Sequence, residues 1–137
     1  ITLVYVGVQL RQNTAAVRAS TMQSVFEVTN NAFQNNSQDL RRTEQFLEIA
    51  EKTDRSTAEH SFYVGFLMQP FRAQETIFYH LKHGTVDRSS VNLEKRVRAT
   101  VTAPHMLDAW NRNIPQLFLS DEYIAFVDQI LAKEELV

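Results

Sequence analysis

Residues 56–84 read STAEHSFYVGFLMQPFRAQETIFYHLKHG, and this stretch decides the fold. Phe62 and Phe66, Leu67 and Phe71, and Ile77 and Leu81 stand four apart and Phe78 and Leu81 three apart, the period of a helix. Tyr63, Val64, Met68 and Tyr79 widen the apolar arc beyond what a surface helix needs, so this helix is predicted to be central. Ser56 followed by Glu59 is a capping box, which sets its start. Lys82 and His83 before Gly84 set its end. Pro70 lies in the middle, lacks a backbone donor and predicts a kink.

Helical patterns continue on both sides. Upstream, the spacing predicts a helix over 3–33, ended by the asparagine-rich NNAFQNNSQ. A second helix is predicted over 38–52, with Ser37 as N-cap and Asp39 in its first turn. Downstream, Ser89 or Ser90 can cap a helix running to Val101. Pro104 then starts a short helix over 105–111, and Ser120 caps a last one with Asp121 and Glu122 in its first turn. Three glycines and three prolines in 137 residues are too few for the turns of an all-β chain. The expected architecture is all-α: an antiparallel bundle of about four long helices plus a short one, with a long N-terminal helix. No linker or repeat divides the chain, so residues 1–137 read as a single domain.

Several chemistries are excluded or unsupported. The absence of cysteine removes disulfides, Cys-ligated zinc, thiol nucleophiles and covalent haem attachment. A net charge of −2 with no dense basic stripe gives no signal for nucleic acid. His80 and His83 share a helix face, with His60 earlier on the same helix. No Glu stands three residues before a His as in carboxylate di-iron bundles, and no third or fourth zinc ligand clusters with them. Glu44, Glu48 and Glu51 read as a solvated stripe beside Arg41 and Arg42. There is no G-x-S-x-G and no glycine-rich phosphate loop. The expectation is therefore no catalytic residue, no metal and no cofactor.

The N-terminus carries the clearest signal of location. Residues 1–10, ITLVYVGVQL, are uncharged, and Arg11 and Arg18 follow. Ten apolar residues fall short of the roughly 20 that span a hydrocarbon core. Position 1 is Ile rather than Met, which reads as a trimmed, processed or partial chain. Two readings stand: the end of a membrane-anchoring helix, with Arg11 and Arg18 flanking the membrane on its cytoplasmic side, or a helix packed into a soluble cytoplasmic domain.

Gln9-Leu10-Arg11-Gln12-Asn13-Thr14 at the front, and Pro104, Trp110 and Phe126-Val127-Asp128 at the back, resemble a family of small bacterial proteins of unassigned activity. In that family an apolar N-terminal membrane helix leads into Q-[IL]-R-Q-N-T and a helical domain. A proline-started short helix bearing one or two tryptophans precedes its aromatic last helix. Here the tryptophan pair is reduced to Ala109-Trp110. The resemblance covers both ends of the chain and implies a fold and a membrane location, not an activity.

The leading functional expectation is a non-enzymatic, membrane-tethered scaffolding or accessory protein acting through protein partners or self-association. The alternative is a ligand-binding sensor-type module, with Phe62, Phe66, Met68 and Phe71 lining an apolar pocket near Pro70. Trp110 is either a core plug whose N–H finds a carbonyl or an anchor for a partner.

Overall fold

The computed structural model describes residues 2–37 and 40–133, with the side chains of all of these except 29, 32–37 and 90. Six α-helices and no strand occur among the described residues: α1 (Thr2–Ser37), α2 (Leu40–Ala50), α3 (Thr57–Lys82), α4 (Leu93–Val101), α5 (Met106–Asn111) and α6 (Asp121–Lys133). The all-α expectation holds, as does the long N-terminal helix. The lengths are less even than expected. Two helices are long, three run from 9 to 13 residues, and α5 has 6.

α3 is central, packing against α1, α2 and α4. Its start is the capping box read from sequence: Glu59 N–H donates to Ser56 Oγ at 3.1 Å, and Ser56 N–H donates back to Glu59 Oε1 at 3.1 Å. Lys52 pairs with the same Glu59 at 2.5 Å, which holds that carboxyl below its ordinary range. Its end is Gly84 at φ +69, the left-handed conformation that costs glycine nothing. The helix continues through Pro70.

α2 ends at Ala50, two residues short of the predicted end. Arg55 explains the stop: its guanidinium donates to the carbonyls of Ile49 and Ala50 at 2.9 and 2.7 Å. The same group lies 4.1 Å above the Tyr63 ring. One side chain therefore terminates α2 and clamps it to α3. Ser37 belongs to α1, and Gln38 and Asp39, predicted to open the second helix, lie outside the described residues.

The expected Ser89 or Ser90 cap is corrected. Asp87 accepts the Ser89 N–H at 3.1 Å and draws 88–90 into a separate 3-10 turn. Val91 is then extended (φ −138), and Asn92 caps α4 by accepting Lys95 N–H at 3.0 Å. Ser120 caps α6 as predicted, accepting the Tyr123 N–H at 3.4 Å.

Five long-range hydrogen bonds register the core. Gln74 on α3 donates to Thr100 Oγ1 and to the Arg96 carbonyl on α4, and accepts from Tyr123 Oη on α6 at 3.2 Å. Glu75 accepts the Ser120 N–H at 2.8 Å. Trp110 Nε1 donates to Asp128 Oδ1 at 2.9 Å. Burial, and secondarily the Glu75 carboxylate, push the Tyr123 phenol well above its ordinary value of 10.0. The unfolded phenol ionises near pH 10 while the folded one stays protonated. This residue's contribution is therefore complete below pH 10 and is lost as pH rises toward the folded value. Tyr123→Phe is expected to cost about 1–2 kcal/mol at neutral pH by orphaning Gln74 Oε1. It should also make the alkaline fall in stability shallower, as measured by denaturant titration at a series of pH values.

Candidate interaction surfaces

Residues 2–20 of α1 are exposed without exception. Leu3 is 87% exposed, Leu10 62% and Val6 46%, so no face of this stretch is covered. α1 first enters the core at Met22 and Val25, where Val25 is buried. Leu10, Arg11, Thr14, Arg18 and Met22 line a groove of about 660 Å³ with Asp87 of the α3–α4 connection. α1 therefore passes that end of α3 near Met22, and its first 19 residues overhang it. At 1.5 Å per residue the overhang is about 28 Å long.

Some polar side chains of the overhang and the turn after it bond within the helix. Gln9 Nε2 donates to Tyr5 Oη at 3.0 Å, Thr14 Oγ1 to the Leu10 carbonyl at 2.8 Å, and Thr21 Oγ1 to the Val17 carbonyl at 2.8 Å. Backbone groups are bonded along the helix, so the apolar side chains of this segment stand bare on a backbone whose own polar groups are satisfied. Arg11 and Arg18, read as membrane-flanking, lie in this overhang on the side facing Asp87. No helix among the described residues is long and apolar enough to cross a membrane.

Of the four residues expected to line a pocket near Pro70, the three phenylalanines pack against other rings. Phe71 is fully buried, with its ring 5.4 Å from that of Trp110. Phe66 stacks on Phe46 at 4.3 Å, and Phe62 lies 6.1 Å from Phe66. Met68 borders a groove of about 470 Å³ on the Val64–Gln69 side of α3, with Arg72 and Phe118 at its edge. Proline leaves the Phe66 carbonyl without its helical donor, and Gln69 Oε1 is buried without a partner among the described residues.

Trp110 is 3% exposed, which makes it a core plug. Its N–H reaches a carboxylate on α6 rather than the carbonyl expected. His80 Nδ1 lies 2.9 Å from Thr85 Oγ1, and that hydroxyl is also 3.1 Å from the His80 carbonyl. His83 stacks on Tyr79. Among the described residues no three His, Asp or Glu side chains gather to hold a metal.

A third groove, of about 600 Å³, lies where α3 ends and has no counterpart in the sequence pattern. Phe78, Leu81, Val91, Leu93 and Phe126 form its apolar wall, with Lys82, Arg88 and Glu94 at the rim. Phe78 and Phe126 were visible as apolar positions of their helices; that they meet, with centroids 5.1 Å apart, is a tertiary fact.

Fold and surface together define a class: a small all-α domain led by a long, half-exposed helix. No family model matches the chain, and neither does any curated protein or solved structure.

Proposed function

We propose that this chain is a non-enzymatic helical scaffolding or accessory protein, held at a membrane by the N-terminal end of α1 and acting through protein contacts. The observation that carries the reading is the overhang: six large apolar residues between Leu3 and Leu10 lie bare on a helix with no charge before Arg11. Fully burying six such side chains is worth on the order of 10 kcal/mol. A lipid layer covers an all-round apolar helix without requiring a shaped partner. Residues 2–10 alone reach only about 13 Å, less than half of a roughly 30 Å hydrocarbon core. Arg11 and Arg18 just beyond would meet headgroups, and basic flanks favour the cytoplasmic side.

The test is flotation with phosphatidylglycerol vesicles. The full chain should rise with the vesicles, and the triple variant Leu3→Ser, Val6→Ser, Leu10→Ser should remain below. The variant's melting temperature should match the parent's, because none of the three side chains is buried. A parent chain that stays behind, or a variant that melts several degrees lower, rejects the tether.

The sensor-type alternative is supported by one observation, the groove beside Phe78. Its place differs from the region of Pro70, where the aromatic rings pack on one another.

A further inference from the structure

We propose that the groove at the end of α3 binds a single-chain amphiphilic carboxylate, the chemical class of a fatty acid. The inference does not depend on the membrane tether. The groove's volume of about 600 Å³ lies within the range of small-molecule sites, roughly 300–1,000 Å³. Phe78 and Phe126 meet at 39° and form an aromatic wall, while the buried side chains of Val91 and Leu93 supply the aliphatic one.

The rim chooses the sign of the headgroup. Lys82 pairs with Glu122, and Glu94 is held by Arg98 at 3.3 Å and by Lys133 at 3.8 Å. Arg88 has no ion-pair partner among the described residues. Asp87, its neighbour, spends its carboxylate on the Ser89 N–H and borders the other groove, toward Arg18. The charged residues lining the groove are thus two cations, Lys82 and Arg88, against one carboxylate, Glu94, and both Lys82 and Glu94 are already paired. The N-terminal end of α4, at Asn92 and Leu93, adds its positive dipole end to the same rim. An acyl chain along the aromatic wall brings its carboxylate to Arg88, the one rim cation left to meet it. A cationic head would face repulsion there, and an uncharged one would leave Arg88 unanswered.

Calorimetric titration of the full chain with monomeric decanoate tests this, with methyl NMR to place the ligand. Decanoate should bind with a dissociation constant on the order of 100 µM, and the Val91 and Leu93 methyl signals should shift. Decyltrimethylammonium should bind at least about tenfold more weakly, and Arg88→Glu should weaken decanoate by a similar factor. Arg88→Lys, which keeps the charge, should stay within about threefold of the parent. Arg88 is exposed, so both variants should fold, as circular dichroism will verify. Absence of decanoate binding, equal binding of the two amphiphiles, or an unchanged Arg88→Glu overturns the proposal. So does a response confined to the Leu3 and Val8 methyls, which would place the detergent-like ligand on the α1 overhang and leave the tether reading untouched.

Discussion

Phe71→Ala is expected to lower the free energy of unfolding by about 3–5 kcal/mol, measured by urea denaturation at neutral pH. Phe71 is fully buried in the middle of the central helix, one residue after Pro70, and its ring packs 5.4 Å from Trp110. Truncation removes a phenyl group's transfer free energy and leaves a cavity. The surrounding side chains have little freedom to collapse into it. Trp110 is pinned through its indole N–H to Asp128, and its backbone carbonyl accepts from Gln116 Nε2 at 2.8 Å. A domain of this size has about 5–15 kcal/mol of stability in total, so the variant should be marginal at 37 °C. A loss below about 1.5 kcal/mol would mean that the aromatic middle of α3 is loosely packed. The pocket expected at Phe62, Phe66, Met68 and Phe71 would then deserve renewed consideration.

Phe46→Ala should cost about 3–5 kcal/mol as well, with a local signature that Phe71→Ala lacks. α2 places two buried side chains in the core, Phe46 and Ile49. Phe46 sits between Tyr63 at 5.6 Å and Phe66 at 4.3 Å, with His105 edge-on at 6.3 Å. Without that ring, α2 is held by Ile49, the Arg55 clamp and its remaining contacts with α1 and α3. An 11-residue helix has little stability of its own in water. Amide hydrogen exchange should therefore accelerate most in 40–50 while α6 remains close to its parent rate relative to global stability. Uniform acceleration across α2 and α6 would show instead that α2 is an inseparable part of one cooperative unit.

Both predictions turn on aromatic residues that the sequence marks as apolar without saying what they touch. Phe46 carries the right period for a buried position, but its stack against Tyr63 and Phe66 joins helices separated by a link. The Trp110–Asp128 bond is similar. Each residue belongs to a recognisable passage, and only the close approach of α5 and α6 explains why a carboxylate stands at position 128. The cap at Asn92 was missed because Ser89 and Ser90 have equally good capping chemistry. Asp87 decides the matter by taking the Ser89 N–H first.

The groove beside Phe78 shows the same limit more sharply. Its wall comes from α3, the α3–α4 connection, α4 and α6, and its charge balance depends on ion pairs such as Lys82–Glu122 across 40 positions. Nothing in the spacing of those residues along the chain announces a shared surface.

Read alone, the sequence determined the helical class, the capped start and glycine end of α3, its central place, the Ser120 cap and the uncharged front of the first helix. Those features depend on residues within a turn or two of one another, where backbone hydrogen bonding and side-chain period act directly. Tertiary structure alone decided that residues 2–20 of α1 stay exposed, that Phe62, Phe66 and Phe71 pack against other rings, and that a groove with Lys82, Arg88 and Glu94 at its rim opens at the end of α3. Burial and cavities are properties of how separate helices meet. A helical period marks which face is apolar, while the neighbour that covers it, or fails to, is set by the packing of the whole chain.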